Sequence, residues 1–245
     1  MRRVWFVIAV SALLLPAQPS TAADMAVKAP RAVSGYTWSG FYVGGNIGGG
    51  WSHARWDNTA NTTLFGDALP GNNFGSNPNG VIGGLQVGYN FQNGPWVFGL
   101  EALFDLSSVQ AQHTSTFGAG DDQFTTAFRS FLMATGRAGY AWNNWLAYVK
   151  GGYALAQVRA SVNDGVAPTT GSGGDTQWRS GPTVGGGFEY AFTPQLSVGV
   201  EYDYIRLDSG GYQLGGGTGS YAWNVAARDV HLVMAKFNYR FSWAR

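Results

Sequence analysis

The chain of 245 residues contains no cysteine, so no disulfide can hold it together. It is also short of charge. Lys, Arg, Asp and Glu make up only 12% of it, about half the ~25% of an ordinary soluble domain. Something other than water must therefore cover much of its surface. The formal net charge is +1, which leaves no polyanion partner implied, since a nucleic-acid binder carries a basic patch. Beyond the N-terminus no run approaches the ~18 apolar residues that a membrane-spanning helix needs. A complete Gly-x-Gly-x-x-Gly fingerprint and a phosphate-loop lysine are missing too.

What is abundant is glycine, at 37 residues, and aromatics, with 10 Trp, 12 Tyr and 15 Phe. Together they favour a single all-β domain. The N-terminus has the form of an export signal. Arg2 and Arg3 precede an apolar run from Val4 to Leu15, and small residues follow at Ser20-Thr21-Ala22-Ala23. Cleavage is expected after Ala22 or Ala23, making 1–23 a signal peptide, 24–39 a short periplasmic leader and 40–245 the folded domain.

From Gly40 onward the sequence alternates with period two, the signature of strands that offer different faces to different surroundings. The last stretch is the clearest: Val233, Ala235, Phe237, Tyr239 and Phe241 share one parity, and Met234, Lys236, Asn238 and Arg240 the other. Seven earlier segments repeat the pattern, beginning near Gly40, Val81, Trp96, Phe128, Trp145, Val184 and Leu196. Tight turns at Asn93-Gly94-Pro95, Ala141–Asn144 and Thr193-Pro194-Gln195 alternate with long polar stretches at about 53–78, 108–123, 159–177 and 208–229. Eight antiparallel strands with short and long connections in strict alternation predict an up-and-down transmembrane β-barrel. Both termini are then expected at the periplasmic rim and the four long loops outside the cell.

The face opposite the aromatics decides between a membrane barrel and a soluble one. It is mostly Gly, Ala, Ser, Thr and Asn, with spaced charges at Glu101, Asp105, Arg129, Arg137, Lys150, Glu189, Glu201, Asp203, Lys236 and Arg240. Five acids and five bases are expected to pair in a narrow lumen, because burying an unpaired ion costs several kcal/mol. At eight strands the interior is just wide enough for side chains to fill it. Aromatics flank the tight turns, and Trp51, Trp56, Trp178, Tyr204, Tyr221 and Trp223 stand near the long-loop ends. They are expected to form two headgroup-level girdles.

The stretches Trp38-Ser39-Gly40-Phe41-Tyr42-Val43-Gly44-Gly45, Gly83–Phe91, Gly136–Trp142, Glu201-Tyr202-Asp203-Tyr204 and Phe237-Asn238-Tyr239-Arg240-Phe241 resemble the small outer-membrane β-barrel proteins of alphaproteobacteria. The resemblance spans the whole mature chain. Its members are variously called porins, surface antigens, adhesins or haemin binders. It implies an outer-membrane location, lipid and lipopolysaccharide as surroundings, and the barrel-assembly machinery as a biogenesis partner. The assembly signal would be Phe237, Tyr239 and Phe241, with Trp243 prolonging it. It implies no catalytic residue. A lipid-acting enzyme would need a nucleophile and base at the outer rim, and Ser115 near His113 has no supporting motif.

The function expected is a structural or surface-interaction role, carried by the outer loops on an unidentified extracellular ligand or host surface, without catalysis, cofactor or metal. Passage of small solutes is the first alternative. Haemin capture is the second, with His53, His113, Tyr212 and Tyr221 as the residues whose chemistry would suit haem iron. Asp121-Asp122 is expected to be a solvated loop tip.

Overall fold

The structure, a computed structural model, describes residues 36–61, 70–115, 122–164, 171–216 and 219–241. The expected signal peptide, most of the expected leader, Asp121 and Trp243 lie outside these residues. Eleven strands form one antiparallel sheet: β1 (Gly40–Asn61), β2 (Asn73–Ser76), β3 (Asn79–Asn93), β4 (Trp96–Ser107), β5 (Gln110–Thr114), β6 (Gln123–Trp142), β7 (Trp145–Asp164), β8 (Gly171–Ala191), β9 (Leu196–Arg206), β10 (Gly210–Gly216) and β11 (Gly219–Arg240). Eight of them run around a ring in the order β1-β3-β4-β6-β7-β8-β9-β11, and β11 pairs with β1 to close it. Closure removes both open edges, which hydrocarbon would not tolerate. The other three are short. β2 lies against β1, β10 against β11, and β5 bridges β3 and β6.

The seam between β1 and β11 needs close approach. A Cβ on Gly48 would lie 1.9 Å from the carbonyl oxygen of Val233, so no larger residue fits there without moving the seam. The tight turns use the expected chemistry. Asn143 and Gly94 take positive φ of 51° and 59°, as two-residue hairpins require. Thr193 Oγ1 accepts from the amide of Leu196 at 3.0 Å.

The apolar residues of the lower barrel point outward, with Leu100 72% exposed and Phe41, Leu85, Val149 and Phe188 likewise bare. Twelve-residue β4, rising ~3.3 Å per residue and tilted ~45°, spans roughly 28 Å. That matches the ~25 Å apolar band of a membrane barrel. So large an exposed apolar surface does not belong in water.

Toward the long-loop end the strands continue well past this band. Here the expected loops are corrected: β2, β5 and β10, together with extensions of β1, β6, β7, β8 and β11, occupy much of the four polar stretches. The continuation obeys an inverted rule, apolar inside and polar outside. Two strands reach it through a bulge, while β1, β7 and β8 keep their alternation and change the character of the residues on each face. On β11 Arg228 is the extra residue between the pairs His53↔Asp229 and Ala54↔Ala227, and on β6 Arg129 is the extra residue between Phe128↔Val158 and Ser130↔Gln157. A bulge adds one residue to one strand and reverses the parity beyond it. Phe128, expected on the outer face, is therefore buried, and Arg129, expected in the lumen, is exposed. Trp56 and Trp223, expected in a girdle, are fully buried at 0% exposure. They pack edge-on to each other and to Phe124, with Phe74 against all three. Trp51 and Trp178 do face outward at this level. The side chain of Tyr221 is outside the description.

Candidate functional site

The barrel interior has three tiers. Nearest the long-loop end lies an apolar plug that includes Trp56, Phe124, Phe128, Phe131, Trp223 and Leu232. At the turn end a smaller cluster gathers Trp38, Val97, Leu146, Tyr148 and Ala191. Between them lies the charged tier.

At its centre Lys236 Nζ on β11 reaches both oxygens of Glu101, at 2.8 Å each, and both of Glu201, at 3.1 and 3.0 Å. Lys150 Nζ on β7 touches the same two carboxylates at 3.3 and 2.8 Å, and Asp203 Oδ2 at 3.3 Å. Arg137 on β6 donates to Glu189 Oε1 at 2.9 Å and to Asn90 Oδ1 at 2.9 Å, and approaches Glu101 at 3.9 Å. Its guanidinium lies 4.7 Å from the Tyr42 ring centroid and 5.1 Å from that of Tyr148. Those phenols donate in turn to Glu101 Oε2 at 2.8 Å and Glu201 Oε2 at 2.5 Å. Amides complete the circuit. Asn46 donates to Gln86 and Asp105, Gln86 to Asn238, and Asn238 to Glu189. Every one of the eight ring strands contributes a side chain, so the tier is a transverse brace.

Eight of the ten residues expected as lumen ion pairs thus lie together in this tier: Glu101, Asp105, Arg137, Lys150, Glu189, Glu201, Asp203 and Lys236 are all buried. Two do not. Arg129 was turned outward by the β6 bulge. Arg240 is buried at the turn-end mouth but forms no ion pair among the described residues. It donates to Tyr36 Oη at 3.2 Å, to the Ser39 carbonyl at 2.9 Å and to the Pro194 carbonyl. The expected charge balance is corrected accordingly. Five carboxylates share three cations, and Asp105 Oδ2 and Asp203 Oδ1 have no hydrogen-bond partner among the described residues. Asp105 makes no ion pair among the described residues; its other oxygen accepts from Asn46 at 2.9 Å.

Residues 36–39, read from sequence as the end of a leader, close the turn-end mouth. Trp38 is 2% exposed, its amide donates to Gln92 Oε1 at 2.6 Å, and Gln92 answers through its own amide to Ser39 Oγ at 2.9 Å. The one clue in the sequence is an aromatic pair, Tyr36 and Trp38, preceding the first strand.

The residues suited to haem iron do not share one surface. His53 is exposed on β1 beside Asn77, with 2.8 Å between Nδ1 and Oδ1. His113, on β5 and not in a loop, stacks on Phe74 at 4.3 Å. Tyr212 is buried beneath Arg179, whose guanidinium lies 4.8 Å from its ring centroid. Burial raises its phenol above the ordinary pKa while Arg179 opposes the shift. A buried, protonated phenol is a poor iron ligand. The aromatics of the closing strand, Phe237, Tyr239 and Phe241, all face outward.

Comparison with known proteins agrees with this architecture. The family described as outer membrane protein beta-barrel domain matches residues 8–241. The 31 kDa outer-membrane immunogenic protein of Brucella melitensis biotype 1 is 30% identical over 216 residues, covering 82% of this chain and 86% of that one. The 22 kDa outer membrane protein of Rhizobium leguminosarum bv. viciae is 28% identical over 188 residues, covering 74% and 70%. Among solved structures, the outer membrane protease OmpT of Escherichia coli superposes with a TM-score of 0.51 at 10% identity, covering 82% of this chain and 97% of that one. At that identity the likeness shows the fold alone. With its closed ring, its lipid-type exterior and a family match over nearly its whole length, the chain belongs to the outer-membrane β-barrel proteins and has alphaproteobacterial outer-membrane immunogenic proteins as relatives.

Proposed function

We propose that this protein is a non-enzymatic surface barrel whose interior is a brace and whose work is done by the section standing beyond the membrane. The long-loop end faces the cell exterior in this reading, and both termini face the periplasm. The observation that supports it is the filling of the interior: an apolar plug, an ion-paired tier on all eight ring strands and the Trp38 stopper follow one another along the axis. A solute passage would have to displace buried aromatics and break paired charges, each costing several kcal/mol. Haemin capture draws less support, because His53 faces outward while Tyr212 is buried. Outer-membrane lipid is the standing partner. The assembly machinery is the transient one, reading Phe237, Tyr239, Phe241 and Trp243.

Purified protein refolded into planar bilayers tests the reading. The expected result is a flat trace, without stable unitary currents, from material whose closed barrel is verified by a boiled-versus-unboiled gel shift. Reproducible single-channel steps would make the solute-passage alternative correct.

A further inference from the structure

We propose that Arg129 and Arg159, on adjacent strands at the long-loop edge of the apolar band, form a binding site for the anionic headgroup of an outer-leaflet lipid. The proposal rests on the orientation given above, with the long-loop end outward.

The β6 bulge creates the site. Arg129 is the extra residue between the pairs Phe128↔Val158 and Ser130↔Gln157. An unbroken strand would have put it into the lumen. Arg159 stands across the ladder from Ala127 and is likewise exposed. Neighbouring and diagonal positions on paired strands are roughly 5–8 Å apart at Cβ, so two guanidinium forks can grip one phosphate or carboxylate group between them.

Neither arginine has a partner among the described residues, and this sets them apart from the other arginines of this end. Arg55 is paired with Asp57 at 3.0 Å, Arg206 faces Asp229 across the β9–β11 ladder, Arg228 donates to Ser209, and Arg179 lies over Tyr212. The outward positions of β5 to β8 beyond the apolar band carry no charge apart from these two arginines, with no Asp or Glu among the described side chains. Two unpaired cations on an acid-free surface ask for an anion from elsewhere.

The depth is that of a headgroup. Leu106, Leu132 and Leu155 lie immediately toward the turn end, all exposed. Trp178, 54% exposed, pairs with Gln157 next to the bulge, and exposed tryptophan of this kind marks the interface. An outward arginine costs little there and several kcal/mol at the midplane. The opposite rim supplies the contrast. Its outward described positions, from Phe41 to Phe241, carry neither Lys nor Arg.

The same chemistry would accept a lipid headgroup or a free anion, so the test separates them. Full-length mature protein in neutral detergent micelles is titrated with bis-phosphorylated lipid A and with its dephosphorylated form, and bound lipid is counted by native mass spectrometry. The expected result is a preference of about tenfold or more for the phosphorylated form. Arg129→Gln/Arg159→Gln abolishes that preference, Arg129→Lys/Arg159→Lys leaves it intermediate, and Arg55→Gln leaves it intact, all with an unchanged gel shift on boiling. Equal binding by the Gln variant and the wild type overturns the proposal. Displacement of the lipid by millimolar inorganic phosphate overturns the lipid assignment in favour of a free anion. Orientation is read separately. Because the chain has no cysteine, Asn163→Cys on intact cells reacts with an impermeant maleimide only if this end is outside. A negative there removes the orientation and leaves the micelle result standing.

Discussion

Replacing Lys236 by Met is the sharpest probe of the interior brace. Its ammonium touches four carboxylate oxygens between 2.8 and 3.1 Å, and the side chain is fully buried. At an effective dielectric near 20, each carboxylate at ~3 Å attracts it by roughly 5 kcal/mol. Much of that is offset by the cost of taking the ammonium out of water. Truncating one member of a buried pair leaves the other uncompensated, and such losses run to about 3–5 kcal/mol. Lys150 still reaches both Glu101 and Glu201, so the lower end, ~3 kcal/mol, is expected. Methionine nearly conserves the volume, which keeps packing out of the result. The assay is reversible urea unfolding in lipid vesicles, followed by tryptophan fluorescence and by the gel shift. Adding Glu201→Gln to Lys236→Met should recover at least ~1 kcal/mol relative to additivity, because it removes one of the stranded charges. A single-variant loss below ~1 kcal/mol, or strict additivity, would refute the claim that these charges brace the barrel.

Two further outcomes follow from the same geometry. Asp105→Asn keeps the acceptor used by Asn46 while removing a carboxylate from a tier where acids outnumber cations, so the urea midpoint should hold or rise; a loss above ~2 kcal/mol would show that a partner for Oδ2 has been overlooked. Arg240→Met breaks three hydrogen bonds at the turn-end mouth, and chymotrypsin should then cut beside Tyr36 and Trp38 at least ~tenfold faster in folded protein. Unchanged cleavage would mean that Trp38 is held by its apolar neighbours alone.

The lower barrel is legible from the amino-acid order because alternation reports directly on which face meets lipid. Phe237, Tyr239 and Phe241 against Lys236, Asn238 and Arg240 suffice to orient strand β11, and the same holds for Glu101 and Asp105 on β4. Eight ring strands and three tight turns follow from that rule alone. The upper barrel is hidden by its polar composition, and on β6 and β11 by a single-residue insertion as well. A bulge has no compositional mark, yet it exchanges the faces, so Arg129 is turned out of the lumen and Trp223 is turned into it. Partner choice is equally silent. Nothing near Arg240 says that it will clasp Ser39 and Pro194 instead of a carboxylate, because those groups meet only once the ring is closed.

The change from apolar-out to polar-out at the upper edge of the band divides the labour of the chain. Below it, an outward substitution meets acyl chains and every change of polarity is penalised. Above it, positions such as Arg55, Gln112, Asn163 and Thr176 meet only water, while the interior behind them is held by Trp56, Phe124 and Trp223. The exterior of that section can therefore drift in sequence without disturbing either anchorage or core. The section is thus a scaffold whose exterior can change at almost no cost in stability.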